Sequence, residues 1–245
     1  MTVQAGMTVA QLQKILGDQK QFLPVDIACP ERQTIGGMIA ARADSLRRFG
    51  FGSVRDALIG VTVINARGEL VKGGGKVVKN VAGYDLPKLY CGSWGTLGLI
   101  IEASFKVSPI PATSATVVLP LDAEHNSEDV LDGILGSDIQ PSFVALLNPG
   151  AAQAVLEREG SAQYLIVGFD GAVEAVEWQV KALGGIDGRL DSEEARETRV
   201  RLCDFSLRPA SMTAAFHILS SQVGAFSRMV EWTARRSGFS AQVLA

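Results

Sequence analysis

Residues 73 to 108, GGGKVVKNVAGYDLPKLYCGSWGTLGLIIEASFKVS, constrain the fold more than any other stretch of the chain. Three consecutive glycines lead into a lysine-bearing turn and a short polar helix. Gly92-Ser93-Trp94-Gly95-Thr96-Leu97-Gly98 then runs straight into an apolar strand, Leu99 to Val107. Glycine at this density lets a backbone come close to something, because no Cβ stands in the way. A strand leaving such a loop holds it in place. Glycines of this kind also serve as plain tight turns between sheet elements, and composition leaves both readings open.

The chain has 245 residues, enough for one large domain or two smaller ones with their own cores. A hydrophobic content of 47% with 20% charged residues describes a folded chain rather than a disordered one. No apolar run reaches the roughly 18 residues that a membrane-spanning helix needs. The opening MTVQAGMTVAQLQ has no basic segment followed by an apolar one, so no signal peptide is expected. Cys29, Cys91 and Cys203 form neither a CxxC pair nor a disulfide framework, which predicts a reducing cytoplasm.

The net charge of -3 hides an asymmetry. Residues 1–111 hold 13 Lys and Arg against 8 Asp and Glu, whereas residues 112–245 hold 10 against 18. A basic half with 15 of the 26 glycines suits a phosphate-bearing ligand. Complementary charge across a domain interface gives the same pattern. Neither half is basic or aromatic enough to point to nucleic acid.

In chain order, Thr2 to Ala5 reads as a strand. Thr8 caps a helix from Val9 to Leu16 whose Val9, Leu12, Ile15 and Leu16 share a face, with Gly17 ending it. A loop from Phe22 through Cys29-Pro30 leads to Gln33-Thr34-Ile35-Gly36-Gly37, a glycine pair opening a helix. Backbone N–H groups can face an anion in that arrangement; an ordinary buried helix after a Gly-Gly turn is the alternative. Ala43 to Ser53 reads as a loop, Ala57 to Asn65 as a strand, and Ala66 to Glu69 as a hairpin turn back to Leu70–Lys72. This order is not βαβ alternation, and no GxGxxG follows a first strand, which disfavours a Rossmann-bound nicotinamide.

Pro109 and Pro111 mark a boundary. Beyond it, strands are expected at Thr116–Leu121, Phe143–Leu147, Tyr164–Phe169 and Thr198–Leu207. Helices are expected at Asp129–Leu135, Val173–Leu183, closed by Gly184-Gly185, and Ala225–Arg236. Glu193, Glu194, Arg196 and Glu197 read as a solvated face. The pattern predicts an antiparallel sheet with helices on one side, similar to a ferredoxin-like cap.

Taken together, VQAGMTVAQLQ, PERQTIGGMIA, FGFGSVRDALIGVTVINARGEL and the stretch from Gly73 to Pro111 resemble flavoproteins of the vanillyl-alcohol oxidase type, with a PCMH-type FAD-binding domain. Within that family they are most similar to the FAD-binding subunit of bacterial glycolate oxidase. The resemblance covers residues 2 to about 111, and KNVAGYDLPKL followed by GSWGTLG is its most specific part. It implies an α+β chain: a partial PCMH-type FAD-binding domain over 1–111, then a ferredoxin-like antiparallel-sheet cap over 112–245.

The resemblance further implies noncovalent FAD. Pro30, Thr34, Gly36 and Gly37 would lie along the flavin and pyrophosphate. Gly50, Gly52 and Ser53 would pass near the ribityl chain and ring. Gly95, Gly98 and Ile100 would cover the adenine end. Relatives that attach flavin covalently use His or Cys on the FAD domain; here His125 and His217 fall in the cap, and Cys29 and Cys91 read as small buried hydrophobes. Two departures from the family pattern stand out. The glycine-rich subdomain that wraps the pyrophosphate is expected before Thr2 and is not in the sequence, and neither is a histidine- and acid-rich segment after the cap. Two isolated histidines cannot build a metal site alone, so none is expected.

The implied activity is that of an FAD-binding subunit of a glycolate (2-hydroxy acid) oxidase or dehydrogenase complex. Its implied partners are a sister FAD-linked catalytic subunit and an iron–sulfur subunit, since this chain has no Cys cluster. The implied location is cytoplasmic, with a peripheral place at the inner membrane only through those partners. Arg47, Arg48, Arg55, Lys76 and Lys79 are available cations without an assigned catalytic role. Tyr84 and Asp85 read as loop-locking or interface residues, the structural role favoured. A non-catalytic assembly subunit without tight FAD binding is the alternative from a different class, and a stand-alone flavin oxidase is the least supported reading.

Overall fold

A computed structural model describes residues 1–43, 45–75, 84–121, 127–184, 188–207, 211–215 and 240–244. The chain divides into two compact units, Met1–Arg47 with Phe51–Ile110, and Arg48–Gly50 with Pro111–Ala245.

The first unit is built on a four-stranded antiparallel sheet in the order β1 (Thr2–Gln4), β5 (Leu99–Phe105), β3 (Leu58–Ile64), β4 (Leu70–Gly74). Helix α1 (Val9–Gly17) starts at a full capping box: Thr8 Oγ1 accepts from the Gln11 N–H, and Gln11 Oε1 accepts from the Thr8 N–H. Such a cap is worth about 1 kcal/mol. Val9, Leu12 and Leu16 are buried, but Ile15 is 41% exposed, contrary to the shared face read from sequence. At 3.6 residues per turn Ile15 points about 90° away from the centre of that stripe. A two-stranded ribbon of β2 (Gln21–Phe22) and β6 (Ser108–Pro109) closes the unit.

Helix α2 (Ile35–Ala41) buries Ile35, Met38 and Ile39 among Leu12, Leu23, Val63 and Ala103. The stretch read as a loop up to Ser53 contains a short helix α3 (Arg48–Phe51), and a second, α4 (Val54–Ala57), precedes β3. Asp56 causes the second: its Oδ2 accepts from both the N–H and the hydroxyl of Ser53, which fixes the first turn. The β3–β4 hairpin forms as expected, with Asn65 Oδ1 accepting from the Arg67 and Glu69 N–H groups. Helix α5 (Leu86–Tyr90) is capped by Asp85, whose carboxylate accepts from the Lys88 N–H. The segment 76–83, with Lys76 and Lys79, lies outside the described residues.

In the second unit the sheet order is β10 (Ser211–Ala215), β11 (Ser240–Leu244), β8 (Phe143–Leu147), β9 (Gln163–Gly171), β7 (Thr113–Leu121). All pairs are antiparallel except β10 with β11, which run parallel. Helices cover both faces rather than one. On one face Val144, Leu146, Leu165 and Val167 meet Leu131 and Ile134 of α6 (Ser127–Leu135) and Val176 and Val180 of α8 (Val173–Ala182). On the other, Ala145, Leu147 and Ile166 are fully buried, α7 (Pro149–Leu156) packs on β8, β9 and β11, and α9 (Ser192–Asp204) packs on β7 and α7. FVALL and LIVGF are continuous apolar runs, as strands buried on both faces require.

A further expectation fails in this unit. Thr198–Leu207 is not a strand: it is the second half of α9 and a following 3₁₀ turn (Phe205–Leu207). The helix begins where Asp191 accepts from the Glu193 and Glu194 N–H groups, and its buried Ala195, Thr198 and Leu202 recur at helical spacing. Helix α7 was not expected either, although Asn148 as N-cap followed by Pro149 is a strong start signal. The expected helix Ala225–Arg236, His125 and His217 lie outside the described residues.

Candidate cofactor site

Three segments carry the residues assigned from sequence, and helix α2 joins two of them. At its N-terminal end the chain from Cys29 to Thr34 is tied to the start of α1. Pro30 O accepts from the Ala10 N–H, and Gln33 O from the Val9 N–H. Thr34 caps α2 with its hydroxyl on the Gly37 N–H at 3.2 Å. The Ile35 N–H donates to Met7 O at 2.9 Å and the Gly36 N–H to Ala5 O at 2.8 Å. The N–H groups that the sequence reading turned toward an anion are therefore donated within the chain. Gly36 has a packing reason to be glycine: a Cβ there would stand 3.0 Å from Ala5 Cβ.

The C-terminal end of α2 receives the second segment. The Gly92 N–H donates to Ile39 O and the Trp94 N–H to Ala40 O, both at 2.9 Å. Seven residues of helix separate the two ends, about 10 Å at 1.5 Å per residue. The loop turns on left-handed backbone at Gly92 (φ +86°), Trp94 (φ +53°) and Gly95 (φ +74°). Thr96 locks it by donating N–H and hydroxyl to Ser93 O. Gly98 (φ +153°) is fixed on two grounds, since a Cβ there would also lie 2.6 Å from Ile64 O. Ile100 pairs with Val63 and its side chain sits in the core, so only its backbone can cover a ring.

Trp94 was not singled out from sequence. It is 76% exposed, and a bulky residue at positive φ is a conformational outlier. Leu97 and Leu99 are exposed beside it in sequence. Its place between two glycines in GSWG was the available signal.

The third segment is the loop from Ser45 to Ser53. Gly52 adopts φ +81°, and Ser53 is occupied by Asp56. Gly50 is counted with the second unit, where its N–H donates to Ser142 O and a Cβ would stand 2.8 Å from Ser142 Cα. Arg47 is not an available cation: its guanidinium is held by Asp26. Arg55 is exposed on α4.

Burial pushes the Cys91 thiol up, with Arg42 and Arg55 opposing it, and the side chain belongs to the core. The Lys88 side chain and N–H hold the exposed Asp85 carboxyl below its usual range. Among the described residues no three His, Cys, Asp or Glu side chains gather as for a metal ion, and no helix is long and apolar enough to cross a membrane.

The residues present suit one part of a flavin dinucleotide better than another. Partly exposed glycine backbone at Gly36, Gly37, Gly52 and Gly98 offers flat, uncharged surface for a ring or sugar. The N–H groups of Ile35, Gly36 and Gly37, which a pyrophosphate would need, are already engaged.

Residues 1–74 match the family described as FAD binding domain. The chain is 29% identical over 228 residues to glycolate oxidase subunit GlcD of Bacillus subtilis, covering 87% of this chain and 47% of that protein. It is 37% identical over 142 residues to glycolate oxidase subunit GlcE of Escherichia coli, covering 58% of this chain and 39% of that protein. It thus spans less than half the length of either. Among solved structures, alkyldihydroxyacetonephosphate synthase superposes with a TM-score of 0.66 at 20% identity, covering 83% of this chain and 44% of that one, which shows a shared α+β fold.

Proposed function

We propose that this chain is the FAD-binding part of a glycolate (2-hydroxy acid) oxidase or dehydrogenase complex, with 1–111 as the cofactor domain and 112–245 as the cap. The observation that carries the reading is the match of residues 1–74 to an FAD binding domain, a span that includes α2 and the segment at its N-terminal end. When bound, FAD supplies hydride acceptance from the α-carbon of the hydroxy acid. The chain's own residues present backbone to it. Pro30, Thr34, Gly36 and Gly37 line one end of α2; Gly95, Gly98 and the Ile100 backbone lie beyond the other; Gly52 and Ser53 form a separate rigid turn, with Gly50 before it. Phosphate donors come from elsewhere in the holoprotein. Similarity to two kinds of glycolate oxidase subunit supports a multi-subunit assembly. A sister flavoprotein subunit and an iron–sulfur subunit complete it in this reading, in the cytoplasm.

The exposure of Trp94, Leu97 and Leu99 favours a second reading, a non-catalytic assembly subunit that docks by this loop. The absorption spectrum of the purified chain, alone and co-expressed with its genomic neighbours, separates the two. A flavin spectrum in either preparation is expected. A colourless protein in both overturns the first reading in favour of the second.

A further inference from the structure

The loop from Ser45 to Phe51 is gripped by one acidic residue 21 positions away. Arg47 is 8% exposed. Its Nε donates to Asp26 Oδ2 at 2.6 Å and its Nη2 to Asp26 Oδ1 at 2.7 Å, a two-pronged clasp. The backbone of Asp26 holds the same loop: its N–H donates to Ser45 Oγ at 3.0 Å and its carbonyl accepts from the Leu46 N–H at 3.1 Å. The guanidinium lies 4.7 Å from the centre of the Phe22 ring and 5.7 Å from that of Phe51. Those rings meet edge to face, 5.6 Å apart at 82°. The Phe51 N–H donates to Arg47 O. The next two residues are Gly52, at φ +81°, and Ser53, where α4 begins.

A buried ion pair is a poor way to gain net stability, because desolvation offsets the attraction, whereas it fixes orientation well. Apolar side chains would hold the loop as firmly without dictating where its end points. We propose that the Asp26–Arg47 clasp is a positioning device that sets the Gly52–Ser53 turn in the conformation that receives the flavin ring. This rests on the reading above that FAD is the cofactor. In this reading both residues act through the turn and not on the reacting atoms, with the Nε and Nη2 edge of Arg47 committed to Asp26.

The test compares Arg47→Lys, which keeps the charge and loses the fork, and Asp26→Asn, which keeps the shape and loses the charge. The full chain, with the partners if they are needed for flavin uptake, is titrated with FAD by fluorescence quenching. Hydrogen exchange is followed peptide by peptide. Both variants are expected to bind FAD about tenfold more weakly, a loss of about 1.4 kcal/mol. Exchange should quicken over 45–53 while peptides over β3 and β5 stay protected, and the fine structure of the bound flavin's visible band should blur. Faster exchange spread evenly through the first unit would make the clasp a general stabiliser and overturn the proposal. So would FAD affinity equal to that of the unaltered chain. Failure of the unaltered chain to take up FAD would instead sink the parent reading, and this one with it.

Discussion

The two ends of helix α2 use glycine for opposite reasons. At Gly36 the backbone is ordinary helix and the residue is small because Ala5 stands 3.0 Å from where a Cβ would be. At Gly95 nothing lies within 4 Å, and the residue is glycine because φ is +74°. Gly98 combines both, with φ +153° and a backbone carbonyl 2.6 Å away. A glycine-rich sequence therefore does not announce a phosphate cradle: one of these segments is a packing surface and the other a sequence of forced torsions.

Substitution separates the two cases. Gly98→Val should be the most damaging, about 3 kcal/mol or more from torsional strain and overpacking together. The expected result in urea denaturation is a much lower midpoint with the second unit's transition retained, and a near-normal midpoint would show that the β3–β5 edge can shift. Gly36→Ala should cost about 1–2 kcal/mol, and adding Ala5→Gly should recover most of it, since only space is in dispute. A double variant no better than the single one would break the distinction drawn between the two ends.

Gly95→Ala, with room but the wrong torsion, should lose about 1 kcal/mol by thermal melting, and Gly95→Asn less, because Asn tolerates left-handed backbone. The smallest effect is expected at Asp85, which caps the helix leading into the second loop. Its folded carboxyl titrates below the usual range, so its contribution is complete at neutral pH and is lost as pH falls through that lowered value. Melting curves of the unaltered chain and Asp85→Asn should differ slightly at pH 7 and converge in acid. A gap that widened in acid would contradict this sign.

Elements with local causes were legible in the sequence. The Thr8 cap and the Val9–Leu12–Leu16 stripe define α1 within ten residues, and the turn read at Ala66–Glu69 is the hairpin that Asn65 closes. What was not legible depended on distant partners or on a choice between periods. Arg47 looked like a free cation because Asp26 is an unremarked acid in a loop. Thr198 to Leu207 alternates well enough to pass for a strand, and only the Asp191 cap and burial at Ala195, Thr198 and Leu202 reveal the helix. The Gly36–Gly37 pair gave no hint that Met7 and Ala5 would claim its neighbouring N–H groups.

The first unit's sheet also dictates an order of events during synthesis. Among the described residues strand β1 pairs with β5 alone in its sheet, and Thr2 meets Ser104 across 102 positions of chain. At 5–20 residues per second the ribosome takes about 5–20 s to deliver that partner. The β3–β4 hairpin can close in microseconds once made, so it forms early with the edge that β5 will fill still open. An unpaired edge is an invitation to other strands. Pausing of translation before Leu99 would lengthen that exposure, and the arrival of LIIEASF inserts one strand between β1 and β3 and ends it for both.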